Sequence, residues 1–194
     1  MHLYGSDTSP YARRVRMFAA YHQVPLSYTC LDIFSEEDRA TLISHSPARK
    51  IPFLTDGSTT LADSGLIARY ISEQHQLPIM SWQQANILVQ LDACNDSLIE
   101  LLLCHRSGFD TKADKLFFNL QYERIAALFI YLNEQCMTDE FLDCCYLKIS
   151  LYCLLDWIIF RDLYDLSDFP ALQAFHQLQE KLPGASETNP RTVI

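Results

Sequence analysis

The apolar pattern of this chain changes once, at the stretch "HQLPIMSW" around Pro78, and does not change back. A proline there cannot continue the preceding helix. Upstream, strand-like and helix-like segments alternate; downstream, every segment repeats its apolar residues at helical spacing. His2-Leu3-Tyr4 reads as a short strand, and Pro10–His22 as a helix with Ala12, Val15, Ala19 and His22 on one side. Leu26–Leu31 reads as a strand, Glu36–Ser44 as a helix and Pro52–Thr55 as a strand. Asp56-Gly57 in "TDGSTTLAD" is placed for a hairpin turn, and Ser64–Gln74 follows as a helix with Ile67, Tyr70 and Ile71 on a shared face. The order βαβαββα predicts an α/β domain over 1–76, joined through a linker at 77–81 to an all-helical domain over 82–194. The expected helices of the second part are Trp82–Leu103, Lys112–Glu134, Glu140–Phe160 and Pro170–Leu182. Phe141–Phe160 is apolar nearly all round, which predicts the buried central helix of a bundle.

Charge divides the chain at the same place. Residues 1–76 hold seven Lys+Arg against eight Asp+Glu, and residues 77–194 hold eight against sixteen, so the second part carries nearly all of the net −9. That balance argues against a nucleic-acid footprint. The seven cysteines are scattered, with no C-x-x-C and no zinc-type pairing of His and Cys, so no metal site is expected and a reducing cytoplasm is the simplest setting. Adjacent Cys104-His105 point apart on a helix and are no metal pair. The longest greasy run, Leu151–Phe160, is short and broken by Asp156, and Met1 leads straight into strand-like sequence. Neither a signal peptide nor a membrane span is expected.

Three stretches of the first part carry the chemistry. In "TSPYARRVR", Ser9 occupies a helix N-cap and Pro10 the first helical position, where proline has no amide hydrogen to waste. A helix start of this kind also receives anions, because its dipole and unpaired N–H groups point outward. A thiolate is such an anion, and a hydroxyl donated to sulfur there lowers a thiol pKa from about 8.5 toward neutrality. In "ARKIPFL", Pro52 at a strand entrance removes a ladder donor; a cis Ile51-Pro52 bond would turn the chain so that the Ile51 backbone faces an extended peptide. In "LADSGLIARYI", Asp63-Ser64 caps a helix, and its carboxylate and hydroxyl are suited to an amino-acid head group, the first taking the ammonium and the second the carboxylate.

In their order and spacing these stretches resemble the cytosolic glutathione S-transferases, close to bacterial serine-type members, over essentially the whole chain. "DWIIFRDLYD", "FPALQAF" and "PGASETNP" look like the corresponding C-terminal segments. The resemblance implies a thioredoxin-like first domain and glutathione as co-substrate without another cofactor. It also implies a homodimer and conjugation of small hydrophobic electrophiles. Residue by residue, it makes Ser9 the group that activates the glutathione sulfur. Ile51 becomes the backbone partner of the cysteinyl portion, Pro52 the cis-proline, Asp63 and Ser64 the γ-glutamyl clamp, and Lys50 a neighbour of the glycyl carboxylate. An electrophile pocket is expected between the domains, with Tyr11 on one side and Leu102, His105, Arg106 and Phe109 on the other. Arg13, Arg14 and Arg16 either solvate a helix face or raise the local potential for an anionic tripeptide. No cysteine precedes Cys30, which argues against the redox relatives that carry one at the position of Ser9.

One departure stands out. The Ser/Thr-x-x-Asp box that opens the central helix of relatives falls here on Cys145-Tyr146-Leu147-Lys148. Cysteine is a poor cap and a first-turn lysine opposes the dipole, a loss of about 1 kcal/mol unless Asp139 or Asp143 takes over the capping. A protein that keeps the cleft for binding or regulation, without turnover, is the alternative function.

Overall fold

The computed structural model describes residues 1–192. Two compact units divide them: Met1–Ile79 together with the chain from Glu180 onward, and Met80–Gln179.

The first unit contains β1 (His2–Gly5), α1 (Pro10–Tyr21), β2 (Ser27–Cys30), α2 (Glu36–His45), β3 (Phe53–Asp56), β4 (Thr59–Ala62) and α3 (Ser64–Gln74), a thioredoxin-like βαβαββα order. Its sheet runs β2-β1-β3-β4, with β1 parallel to β2 and the other pairs antiparallel. Leu3 and Gly5 alternate inward on β1, and Leu31, Leu42 and Phe53 form a buried cluster against α2. Gly5 is required by close approach: a Cβ there would stand 2.6 Å from the Cβ of Ala12, so α1 could not lie this near the strand. The hairpin turn falls one residue later than the sequence predicts. Asp56 still pairs with Thr59, so Gly57-Ser58 are the loop residues, and Gly57 (φ +57°) takes the first central position as a II′ turn requires.

The chain from Glu180 onward belongs to this unit, although the sequence boundaries group it with the helices. Arg13 on α1 holds it, donating from Nε to Thr188 Oγ1 at 3.1 Å and from Nη2 to the Ala185 carbonyl at 3.0 Å. Gly184 (φ +82°) lets the segment pass α1, where a Cβ would lie 3.1 Å from Met17 Cα. An attachment made through one arginine to a threonine hydroxyl and a backbone carbonyl leaves no apolar periodicity to read.

The second unit contains α4 (Trp82–Arg106), α5 (Leu116–Gln135), α6 (Asp139–Leu142), α7 (Cys145–Arg161) and α8 (Pro170–Gln179). The segment expected as one helix over Glu140–Phe160 is two, parted at Asp143-Cys144. Twelve of the seventeen residues of α7 are buried, and it packs on α4, α6 and α8, so the central role expected of it holds. Buried Asp156 on α7 meets His176 on α8 at 3.2 Å, with Tyr152 stacked on the imidazole. Ser81 and Gln84 form a full capping box on α4, whereas α7 begins at Cys144 with no side-chain cap hydrogen bond. The altered box is therefore displaced by one residue, with Cys145 already helical. Neither Asp139 nor Asp143 caps it: Asp139 opens α6, whose own cap is Thr138, and Asp143 ends α6 facing solvent. Among the described residues no helix is long and apolar enough to cross a membrane.

Candidate functional site

The strand register gathers the three stretches. Tyr4 pairs with Phe53 and Phe53 with Ala62, so the C-terminal ends of β1 and β4 and the start of β3 lie at one end of the sheet. From that end leave the Ser6–Ser9 loop into α1, the Ile51-Pro52 bond before β3, and Asp63-Ser64 into α3. The Ile51-Pro52 bond is cis. Gly5 pairs with Cys30, which brings Cys30 to the same end.

Ser9 is the N-cap of α1. Its backbone is extended (φ −83°, ψ 122°), its amide donates to the Ser6 carbonyl at 3.0 Å, and its Oγ accepts the Ala12 N–H at 3.3 Å. The hydroxyl is half-buried, and the first turn of α1 carries no acidic residue to offset the positive helix end. Asp7, in the loop before it, is engaged by Arg16 at 2.6 Å. The Arg16 guanidinium lies 4.0 Å from the centre of the Tyr28 ring, which fixes this side of the loop. Burial, and then the Asp7 carboxylate, push the Tyr28 hydroxyl far above its usual range. Burial likewise pushes the Cys30 thiol up, so the cysteine at this end carries little thiolate.

The arginines of α1 are not a solvated face. Arg13 and Arg14 are 3% and 1% exposed. Arg14 donates from Nε at 3.0 Å and from Nη2 at 2.6 Å to Ser64 Oγ, and its guanidinium lies 4.6 Å from the centre of the Tyr11 ring. Two N–H groups of one guanidinium thus fix the position of the Ser64 oxygen. The sequence pattern offers no means of finding Arg14 as the residue that sets Ser64: an arginine inside an amphipathic helix looks the same whether it is solvated or buried.

Asp63 caps α3, its Oδ1 accepting from Gly65 N–H at 2.7 Å and Leu66 N–H at 3.3 Å, and it stays exposed. Its φ of +78° is a region that non-glycine residues occupy only when their surroundings hold them, at a cost of roughly 1–3 kcal/mol. Lys50 is exposed, and its backbone is pinned by buried Ser46, whose Oγ donates to the Lys50 carbonyl at 3.1 Å. Tyr11 is half-buried on α1. The residues expected at an electrophile pocket lie in the second unit. Leu102, His105 and Arg106 form the last turn of α4, and Phe109 follows in the turn after it, its amide donating to the Cys104 carbonyl.

Residues 3–78 match the family "Glutathione S-transferase, N-terminal domain". A curated relative, the class-mu 26 kDa glutathione S-transferase isozyme of Schistosoma mansoni, is 24% identical over 153 residues, which cover 69% of this chain and 61% of the relative. The chain thus spans about six tenths of that relative's length. Among solved structures, a glutathione S-transferase of Methylobacillus flagellatus is similar with a TM-score of 0.82 at 19% identity, covering 97% of this chain and 98% of the other. A glutathione transferase family member of Pseudomonas fluorescens, solved with bound glutathione, has a TM-score of 0.80 at 24% identity and covers 97% and 98%.

Proposed function

We propose that this chain belongs to the glutathione S-transferase superfamily, whose N-terminal domain model matches residues 3–78 and whose fold it shares, that it binds glutathione at the gathered end of its sheet, and that it transfers the glutathionyl group to small hydrophobic electrophiles. The single observation that carries the reading is the register that brings the α1 N-cap, the Ile51-Pro52 bond and the α3 N-cap to one end, with Ser9 half-exposed there.

In this reading the γ-glutamyl ammonium pairs with Asp63 and its carboxylate accepts from Ser64, held by Arg14. The cysteinyl portion lies along the Ile51 backbone, Lys50 faces the glycyl carboxylate, and Tyr11 lies beside the thiol. The Ser9 hydroxyl donates to the sulfur and, with the α1 dipole, keeps it ionised near neutral pH. Of the two serines, Ser64 is 1% exposed with its oxygen engaged by Arg14, an arrangement that holds a ligand; Ser9 is the one placed to stabilise charge. The thiolate then attacks an electrophilic carbon: the C–S bond forms, and in a substitution the leaving group departs with its electron pair while the thiol proton has gone to solvent. Leu102, His105, Arg106 and Phe109 are the residues assigned to the electrophile. The working form is a homodimer in the cytoplasm; light scattering at the monomer mass of 22.4 kDa would contradict the first point.

Turnover of glutathione with a chloronitrobenzene tests the reading. Ser9→Ala is expected to lower kcat about tenfold or more, the loss of one charge-stabilising donor. Undiminished kcat in that variant removes Ser9 from the mechanism.

A further inference from the structure

Arg16 stands two helical turns after Ser9, so the two residues share one face of α1. Helical side chains lean toward the N-terminus, which sends the Arg16 guanidinium back to the loop before Ser9. There its Nη1 donates to Asp7 Oδ1 at 2.6 Å, a short, charge-assisted contact. The Tyr28 ring, 4.0 Å from the guanidinium, holds it from the other side. The other two arginines of the stretch are engaged elsewhere, Arg13 with Thr188 and the Ala185 carbonyl, and Arg14 with Ser64.

Asp7 lies close to the place where a thiol at Ser9 ionises. The Ser9 amide donates to the Ser6 carbonyl at 3.0 Å and closes a turn with Asp7 and Thr8 at its centre. Such a turn keeps its end Cα atoms within about 7 Å of each other. A carboxylate inside it opposes a second negative charge at the helix start. On β2, burial raises both Tyr28 and Cys30, so neither adds a negative charge near neutral pH. Asp63 is turned onto the Gly65 and Leu66 amides, Asp32 beyond β2 accepts from the Phe34 amide at 3.0 Å, and Lys50 is exposed to water. These charges stay the same when Asp7 or Arg16 is replaced, so they drop out of a comparison.

The side chains of Arg16 and Asp7 are 20% and 24% exposed, which leaves their fields only partly screened. Paired, the two charges largely cancel at Ser9. Unpaired, each acts in full: a unit charge about 8 Å from a half-exposed thiolate moves its ionisation by about half to one pH unit. We propose that Asp7 and Arg16 form a charge couple that sets how readily a thiol bound at Ser9 releases its proton to solvent, Asp7 opposing the thiolate and Arg16 cancelling Asp7. The couple rests on the transferase reading for its ligand. Both are positioning residues, acting through the field at Ser9.

Ultraviolet absorbance of bound glutathione, titrated against pH, reads the ionisation; the S-methylglutathione complex, whose ligand has no titrating thiol, is the baseline. Asp7→Asn leaves Arg16 unmatched, so the thiolate is expected to appear about half to one pH unit lower than on the parent chain. Arg16→Gln leaves Asp7 unmatched and is expected to move it up by a similar amount. The double variant is expected to return to the parent value, and Arg16→Lys, which keeps the charge, to stay near it. A pair that only braces the loop gives a different pattern, because either replacement loosens the same turn: both shifts then have one sign and the double variant does not recover.

Affinity at fixed pH gives a second reading that needs no ionisation. Glutathione sulfonate, permanently anionic at the sulfur, is expected to gain about threefold to tenfold over S-methylglutathione in Asp7→Asn and to lose as much in Arg16→Gln. The asparagine keeps the side chain's size and an oxygen that accepts from Arg16, so Asp7→Asn decides the matter alone should Arg16→Gln fail to fold. Shifts of one sign in the two variants, or no shift in Asp7→Asn, overturn the couple; the transferase reading stands if the parent still ionises glutathione below its free pKa. Opposite shifts on a parent that ionises glutathione only at its free pKa keep the couple and remove thiol activation. A parent chain that binds neither glutathione nor its analogues overturns both.

Discussion

Replacing Arg14 by methionine separates the fold from the site. Methionine fills most of the arginine's volume at a position that is 1% exposed, so little cavity is left. The losses include the pair of hydrogen bonds to Ser64 Oγ, at 3.0 and 2.6 Å, and the contact with the Tyr11 ring. Hydrogen bonds from a charged donor contribute about 1.5–3 kcal/mol each in isolation, but these two share one acceptor and the replacement also relieves a buried charge, so a net loss of about 2–3 kcal/mol follows. For a chain of this size that lowers Tm by roughly 4–12 °C. Ser64 also loses the restraint that fixes its hydroxyl, so the glutathione Kd should rise about tenfold or more, while a stability-only role would leave it unchanged once the folded fraction is corrected for. Thermal unfolding and calorimetric glutathione titration of Arg14→Met give both numbers. A Kd within twofold of the parent refutes the positioning of Ser64 by Arg14, whatever the Tm does.

Three further outcomes follow from the same geometry. Gly5→Ala forces a Cβ to 2.6 Å from Ala12 Cβ, so either α1 or β1 must shift; a loss of about 1–3 kcal/mol in denaturant unfolding is expected, and an unchanged midpoint contradicts the close approach. Cys144→Ser supplies the cap that α7 lacks and should raise stability by about 0.5–1 kcal/mol, whereas a fall would show that the buried thiol contributes more by packing than a cap would. Burial raises the thiols of Cys94 and Cys145 to about 12 and that of Cys136 to about 11. Their thiolate fractions at pH 8 are therefore about one in ten thousand and one in a thousand, rising with pH. Native labelling with a thiol reagent at pH 8 should spare all three, with all seven cysteines reacting after unfolding; fast native labelling of any of the three contradicts the burial.

The element order was legible because the two periodicities, two and then three to four, are written plainly on either side of Pro78. The caps at Ser9 and Asp63 were legible for a local reason, since a cap bonds to amides two or three residues away. What escaped the sequence is made at long range or by small shifts. The link from Arg13 to Thr188 spans 175 residues, and that from Arg14 to Ser64 spans 50; no local pattern encodes either. The break at Asp143-Cys144 was hidden because apolar residues continue through it, and the hairpin slipped by one because Asp-Gly and Gly-Ser are both acceptable turn pairs. The sheet-end clustering of Ser9, Ile51-Pro52 and Asp63-Ser64 needed the register of Tyr4, Phe53 and Ala62, which only the folded chain supplies.

The central claim is that the start of α1 ionises a bound thiol. Ultraviolet absorbance of the glutathione thiolate, titrated against pH on the parent chain and on Ser9→Ala, measures that directly. The account predicts a thiolate that appears well below the pKa of free glutathione on the parent chain and not on the variant. Glutathione that binds to the parent chain yet ionises only at its free pKa would contradict it.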